Sequence, residues 1–231
     1  MSMLAGKVVI IAGGFGFLGM AVAAAAQAQG ARVALLGQTR DAAPARTDSM
    51  LPLPGVDLTD LPACQHAVQQ VLQQFGRLDG LINVAGGFRY ETLSEGDVLS
   101  WDLMYQMNLR TALTMSKAVL PTLLAQGQGR IVNIGANAAA RGSAGMGAYT
   151  ASKAGVARLT ESLADELKTR GITVNAVLPG IIDTPANRAD MPDADTSRWV
   201  APADIATAIL FLLSDAAHKI TGASLPVTGS L

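Results

Sequence analysis

The sequence predicts an α/β fold: a single-domain, Rossmann-like, doubly wound parallel sheet with helices on both faces. Two observations predict it. Short apolar runs rich in valine and isoleucine alternate with longer helical patterns, and half of the 231 residues are apolar while only 15% are charged. Strands with so few charges are typical of a parallel sheet that is buried on both faces. The length suits one domain over residues 1–231.

Five runs have the length and composition of buried strands, at residues 8–12, 33–36, 81–85, 131–134 and 174–178. The segments between them predict helices at residues 18–29, 61–75, 101–126 and 148–170, because apolar side chains recur there every three or four residues. Pro121 is expected to kink or interrupt the third helix, since proline has no amide hydrogen to donate. Residues 38–55 and 186–200 are predicted to be long loops, and such loops often act as lids.

Composition excludes several classes of function. With 17 basic and 18 acidic residues the net charge is −1, so we expect no nucleic-acid partner. One cysteine, Cys64, and two histidines provide neither an internal disulfide nor a metal cluster, and a reducing cytoplasm is the predicted compartment. Residues 8–26 have the apolar character of a signal peptide, but four glycines interrupt them, and we predict no membrane span.

A glycine-rich turn separates the first predicted strand from the first helix. Its sequence is Gly13-Gly14-Phe15-Gly16-Phe17-Leu18-Gly19. Glycines allow a tight turn and the close approach of a pyrophosphate, whose charge is favoured by the free amides and the dipole of the helix. A glycine pattern alone can mean only a flexible loop, but the flanking strand and helix make this turn a predicted dinucleotide site.

The end of the second strand selects the cofactor. An acidic residue there binds the ribose hydroxyls of NAD, whereas this chain has Gly37-Gln38-Thr39-Arg40. Without a carboxylate a 2′-phosphate is not repelled, and Arg40 can pair with it. NADP(H) is therefore favoured and NAD(H) is the alternative, unless Arg40 is simply a solvated loop residue. Asp57 and Leu58, after a short strand near Val56, are assigned to the adenine edge, although Asp57 can equally belong to the cap region of the next helix.

Tyr149 and Lys153 lie four residues apart at the start of the fourth predicted helix. Side chains at this spacing share a helix face. A nearby cation stabilises phenolate and lowers the pKa of a tyrosine, which is otherwise near 10. Together with a dinucleotide site, the pair predicts proton transfer beside hydride transfer, although such a spacing also arises by chance.

These features resemble the short-chain dehydrogenase/reductase family, and the resemblance covers nearly the whole chain. The matching residues are Asn83-Val84-Ala85-Gly86, Met107-Asn108-Leu109, Tyr149 with Lys153, Pro179-Gly180 with Thr184, and Thr221-Gly222. The resemblance implies that Tyr149, Lys153 and Asn108 are catalytic, with Asn108 holding a proton-relay water. It also implies that Asn83, Ala85, Gly86, Lys153, Pro179, Gly180 and Thr184 belong to the cofactor site. A homodimer or homotetramer acting on a small-molecule substrate is expected.

Two residues depart from the common pattern of that family. Ala136 stands thirteen residues before Tyr149, where a serine is usual, and Phe17 replaces a glycine. Both departures resemble the dihydropteridine reductase branch, as do residues 183–195, and this implies reduction of a quinonoid dihydropteridine. That branch binds NADH through an acidic residue, from which Gly37 departs.

A physical argument agrees with the lost serine. The serine hydroxyl stabilises oxyanion character on a substrate carbonyl, whereas a conjugated imine needs only a proton. The alternatives are that Asn137 or Ser143 replaces the hydroxyl in a ketone or quinone reductase, or that the protein is an inactive NAD(P)-binding sensor.

Overall fold

The computed structural model describes residues 2–39 and 43–229. Within these ranges seven strands form one sheet: β1 Val8–Ala12, β2 Arg32–Gly37, β3 Met50–Pro54, β4 Gly80–Asn83, β5 Gly129–Ile134, β6 Ile172–Pro179 and β7 Ser224–Val227. They lie in the order β3-β2-β1-β4-β5-β6-β7, and every pair is parallel. The chain leaves β1 toward one edge and returns to pair β4 on its other side, so the carboxyl ends of β1 and β4 form the switch point where ligands bind in such sheets.

Helices cover both faces of the sheet. They are α1 Phe17–Ala28, α2 Leu61–Phe75, α3 Val98–Met104, α4 Thr111–Gln126, α5 Gly147–Leu167, α6 Pro185–Asp190 and α7 Pro202–Leu213. A π-helical segment, Tyr105–Arg110, joins α3 to α4, and short 3₁₀ turns occupy Asn137–Ala140, Thr196–Arg198 and Asp215–Ala217. In the described part of the chain, no helix is both long and apolar enough to cross a lipid bilayer.

Two apolar cores lie on opposite faces of the sheet. Alternate residues of β1 divide between them: Val8 and Ile10 pack on the side of α2, α4 and α5, whereas Val9 and Ile11 pack on the side of α1 and α7. This alternation follows from the two-residue period of a strand. Burial on both faces explains why the strands contain almost no charge, and it confirms the predicted architecture.

The five predicted strands are all present, with ends within two residues of the prediction. The predicted helices at 18–29, 61–75 and 148–170 correspond to α1, α2 and α5. The third predicted helix, at 101–126, is interrupted, but at the π-helical segment rather than at Pro121, which lies inside α4. The prediction for Pro121 was therefore wrong as to an interruption, because α4 tolerates one missing amide bond within a well-buried helix.

The two predicted loops contain regular structure. Residues 50–54 of the first form the edge strand β3, in which Pro52 and Pro54 pair with Leu35 and Gly37. Proline is tolerated there because an edge strand donates ladder hydrogen bonds on one side only. The second loop contains α6 and is anchored by a bridge between Ile182 and Val200.

Candidate active site

The turn after β1 and the segment after β4 meet at the carboxyl edge of the sheet. The amides of Val84 and Ala85 both donate to the carbonyl of Ala12, at 2.8 and 2.9 Å. Gly13 has φ +84°, and a Cβ on it would lie 2.5 Å from the Ala85 amide nitrogen. Only glycine satisfies both the left-handed backbone and this close approach.

The backbone of the turn and the uncapped start of α1 favour the binding of an anion. The amides of Gly13 and Gly14 donate to the Leu36 carbonyl, which fixes the turn against β2. Helix α1 then begins after Gly16, which has no side chain to cap it, and its first turn contains no acidic residue. The positive end of α1 is therefore available to a pyrophosphate. Phe17 is 54% exposed at this end, whereas Phe15 is partly buried and Leu18 is buried.

On the other side of the turn, Gly37 has φ +132° and packs between Gly13 and Leu58. Arg40, assigned above to a 2′-phosphate, lies outside the described residues. The carboxylate of Asp57 accepts hydrogen bonds from the amide and the hydroxyl of Thr59, at 2.8 and 2.7 Å, and these hold its pKa below the usual value. Asp60 rather than Asp57 is the N-cap of α2, because its side chain accepts from the third helical amide.

Tyr149 and Lys153 lie on the first turns of α5, which faces β5 and β6. Lys153 is 5% exposed, and its Nζ donates to the Ile134 carbonyl at the end of β5, at 2.8 Å. Tyr149 is partly buried, and its ring meets Phe88 edge-on with centroids 4.9 Å apart. The predicted pair is therefore brought to the same sheet edge as the glycine turn.

Burial governs the proton affinities of both side chains. It raises the pKa of Tyr149 above 10, and it lowers the pKa of Lys153 to about 8. The expectation that the ammonium of Lys153 lowers the pKa of Tyr149 is not met in this structure, because desolvation of the phenol dominates. Tyr149 consequently keeps its proton at neutral pH, as a proton donor must.

Asn108 clamps the segment after β4 to α5. Its Oδ1 accepts from the Gly87 amide at 2.8 Å, while its Nδ2 donates to the Gly87 carbonyl at 3.1 Å and to Ser152 Oγ at 2.9 Å. Ser152 in turn donates to the Tyr149 carbonyl at 2.7 Å. Sequence reasoning missed Ser152, although its position between Tyr149 and Lys153 was a usable signal.

Gly86 completes this cluster. A Cβ at Gly86 would lie 2.7 Å from Asn108 Oδ1 and 3.1 Å from Lys153 Nζ, so the backbone of the β4 segment lies directly against both side chains. Asn83 is placed differently: its Nδ2 donates to Asn133 Oδ1 at 2.8 Å inside the sheet. Its side chain therefore links β4 to β5 below the edge.

The segment after β6 borders the candidate active site on another side. Gly180 donates to the Val227 carbonyl at 2.9 Å, just after Pro179 ends β6. Thr184 is the N-cap of α6, and its hydroxyl accepts from the Asn187 amide at 3.1 Å. A surface cleft of about 500 Å³ separates this segment from α1 and α7, and it is lined by Phe17, Ala21, Asp183, Thr184, Pro185, Arg188, Pro202 and Ala203.

Comparisons with known proteins agree with this geometry. The family described as short chain dehydrogenase matches residues 7–195. The chain is 33% identical over 249 residues to 2-(S)-hydroxypropyl-CoM dehydrogenase 3 of Xanthobacter autotrophicus, covering 99% of this chain and 97% of that protein. It is also 33% identical over 238 residues to a 3-oxoacyl-[acyl-carrier-protein] reductase of Escherichia coli, covering 98% and 97%. The chain belongs to the short-chain dehydrogenase/reductase family.

A solved structure supports the fold of this short-chain dehydrogenase/reductase. The crystal structure of gox2181 superposes with a TM-score of 0.87 at 29% identity, covering 97% of this chain and 95% of that one. As a member of the family the chain is an NAD(P)-dependent oxidoreductase. The named relatives do not include a dihydropteridine reductase, so that finer resemblance is not supported by them.

The position of the missing serine is well defined in this short-chain dehydrogenase/reductase. Ala136 is 6% exposed and follows β5 by two residues, close to the carbonyl of Ile134 that binds Lys153. Asn137 and Ser143, the two proposed replacements for its hydroxyl, are exposed. Position 136 therefore carries a buried methyl group where the family usually has a serine hydroxyl.

Proposed function

We propose that the chain is an NADPH-dependent reductase of a small-molecule carbonyl compound. The observation that carries the proposal is the placement of Tyr149 and Lys153 at the sheet edge that also holds the glycine turn. Hydride adds to the carbonyl carbon, a proton adds to the oxygen, and the products are an alcohol and NADP⁺.

The residues present fit a nicotinamide dinucleotide. The free amides at the start of α1 would hold the pyrophosphate, and the ammonium of Lys153 would hold the ribose hydroxyls. Ala85 and Gly86 would border the cofactor, and the segment of Pro179, Gly180 and Thr184 would receive the carboxamide. The bound cofactor supplies the hydride, and all other chemistry belongs to the protein.

Tyr149 donates the proton. Burial raises its pKa, so the hydroxyl is protonated at neutral pH and is ready to act as a general acid. Lys153 stabilises the phenolate that remains, since its pKa of about 8 leaves it mostly cationic at pH 7. Asn108 holds the β4 segment against α5, and the resemblance to the family implies that it also supports the return of a proton to Tyr149.

Three features support these choices of cofactor and acceptor. Gly37 leaves no carboxylate at the end of β2 to repel a 2′-phosphate, and Arg40 follows closely in the sequence. The names of the relatives describe reduction of a 3-oxoacyl group and oxidation of a hydroxypropyl group, which are carbonyl and alcohol chemistry. For a ketone, Asn137 or Ser143 takes the place of the missing hydroxyl.

Reduction of a quinonoid dihydropteridine is the second candidate, and Ala136 is the observation that favours it. A conjugated imine needs a proton but no separate oxyanion donor. Residues 183–195 add a sequence resemblance to that branch.

The experiment is steady-state oxidation of NADPH and NADH with a panel of ketones and with a quinonoid dihydropterin. We expect turnover of at least one ketone, a lower KM for NADPH than for NADH, and loss of at least 100-fold in kcat for Tyr149→Phe. Tyr105→Phe, on the π-helical segment, is the matched control and should retain activity. Bound cofactor without turnover of any acceptor would point instead to a sensor.

Ala136→Ser separates the two candidates. Restoring the hydroxyl should raise kcat/KM for ketones, because one oxyanion donor is worth roughly 3 kcal/mol, and should leave pterin reduction nearly unchanged. Wild-type turnover of the pterin but of no ketone would establish the second candidate in place of the first.

We also propose that the chain acts as a single domain in the cytoplasm and assembles as a homodimer or homotetramer. The single cysteine, Cys64, is buried and unpaired, which is consistent with a reducing compartment.

A further inference from the structure

An exposed aromatic ring stands beside the proposed proton donor. Phe88 is 57% exposed, although its ring meets the ring of Tyr149 at 81° with centroids 4.9 Å apart. Edge-to-face contacts at this distance are favourable, but they use only part of the Phe88 surface. The remainder is open to solvent next to Tyr149, the proposed proton donor.

The backbone just before Phe88 is held in place. The preceding residue, Gly87, is bound at both its amide and its carbonyl by the buried side chain of Asn108. Because the same Asn108 is tied to Ser152 on α5, the segment carrying Phe88 is fixed relative to Tyr149. A segment whose backbone is already fixed loses less conformational freedom when a ligand binds.

The charged residues of the same segment are engaged elsewhere. Arg89 donates to Ser100 Oγ at 2.9 Å, and Glu91 accepts from the Asp97 amide at 3.0 Å, so both are directed to the start of α3. The wall beside Tyr149 is therefore an apolar ring rather than an ionic contact.

We propose that Phe88 is a specificity-determining residue, whose ring selects acceptors that carry the reducible carbonyl or imine on a flat, conjugated ring. The inference rests on the proposed function, since it takes Tyr149 as the proton donor. A proton donor lies about 2.6–3.2 Å from the atom it protonates. An acceptor bound to Tyr149 at that distance brings its neighbouring atoms against Phe88. A flat ring then stacks offset or edge-on with Phe88, at the 4.5–7 Å centroid distances typical of aromatic pairs.

The absence of a serine at position 136 agrees with this selection. Conjugation spreads the charge that develops on the acceptor during reduction, so a methyl group from Ala136 costs less there than it does beside an isolated ketone. The exposed ring of Phe88 and the missing hydroxyl at Ala136 thus favour the same class of acceptor.

The test compares acetophenone with cyclohexyl methyl ketone, which share their connectivity and differ in the planarity of the ring. Phe88→Leu keeps an apolar side chain and removes the ring. Tyr90→Leu is the matched control, because Tyr90 is another exposed ring of the same segment, packed over Gly145 rather than Tyr149. We expect Phe88→Leu to lower the ratio of the two kcat/KM values about three- to tenfold, and Tyr90→Leu to leave it within twofold.

A ratio unchanged by Phe88→Leu, including equal losses on both ketones, would overturn the inference and reduce Phe88 to a packing partner of Tyr149. Failure of the proposed function has a different signature, namely no turnover of either ketone by the wild type. In that case binding of 1-phenylethanol and 1-cyclohexylethanol to the NADPH-saturated protein, measured by calorimetry, decides the inference. Preference for the phenyl alcohol that is lost in Phe88→Leu supports it, and equal binding contradicts it.

Discussion

At the scale of single residues, Lys153 is a charged side chain buried in the fold. Its ammonium is buried with one hydrogen bond, to the Ile134 carbonyl, and desolvation lowers its pKa to about 8. The folded protein therefore binds this proton less tightly than the unfolded chain does. Stability is reduced in full below pH 8 and recovers as the pH rises toward 10.5, at 1.36 kcal/mol per pKa unit.

This linkage predicts how stability changes with pH. Between pH 7.5 and 9.5 the free energy of unfolding of the wild type should rise by about 2 kcal/mol relative to that of Lys153→Met, which has no proton to lose. Urea unfolding of both proteins at the two pH values measures the difference. The exposed lysine of the same helix region, Lys168, provides the control Lys168→Met, which should track the wild type. A difference between wild type and Lys153→Met that does not vary with pH contradicts the assigned burial penalty.

At the scale of elements, the π-helical segment Tyr105–Arg110 joins two other parts of the site. It carries Asn108, whose amide binds the β4 segment at Gly87 and α5 at Ser152. π-Helical turns are rare and are found mostly at functional sites. Here the wide turn lies where a continuous α-helix was predicted, and it contains the residue that connects the neighbouring elements.

Asn108→Asp tests this connection with almost no change of shape. A carboxylate still accepts from the Gly87 amide, but it cannot donate to the Gly87 carbonyl or to Ser152. A buried acceptor, Ser152 Oγ, and a partly buried one, the Gly87 carbonyl, lose their donor, so we expect a loss of about 2–3 kcal/mol in urea unfolding at pH 8. Gln106→Glu makes the same chemical change at an exposed position of the same segment and should cost less than about 0.5 kcal/mol. Equal, small effects would show that the clamp contributes little.

The agreement between the sequence-based predictions and the structure differs from one element to another. Buried strands such as Val8–Ala12 could be predicted because burial on both faces demands an uninterrupted apolar run. Edge strand β3 was predicted only in part: a short strand was expected near Val56, but residues 50–54 were assigned to a loop, since two prolines hide the strand pattern. The Tyr149 and Lys153 pair follows from helical spacing, whereas the contact of Phe88 with Tyr149 joins residues 61 positions apart and depends on tertiary packing. The direction of the Tyr149 pKa likewise depends on burial that spacing does not reveal.

At the scale of the whole molecule, α3 and α4 expose several leucines. Leu99 and Leu103 of α3 are 68% and 38% exposed, and Leu113 of α4 is 39% exposed. These leucines lie on consecutive stretches of one helical path, outside the two cores. Exposed apolar side chains grouped in this way are typical of a surface that is covered by a partner. The resemblance of the chain to its family implies that the partner is a second copy.

The sequence places this contact on the predicted helices 101–126 and 148–170, which correspond to α3, the π-helical segment, α4 and α5. We therefore predict a homodimer or homotetramer built on a two-fold axis, in which these helices of two subunits are in contact. A two-fold interface buries each residue twice, so one substitution places two charges in it. Leu103→Glu should therefore shift the mass measured by light scattering at micromolar concentration from a multiple of 23.8 kDa toward 23.8 kDa itself. Met20→Glu changes a similarly exposed residue on α1 and should leave the assembly intact. A wild-type protein that is monomeric in this measurement refutes the assembly, and dissociation by Met20→Glu but not by Leu103→Glu places the interface elsewhere.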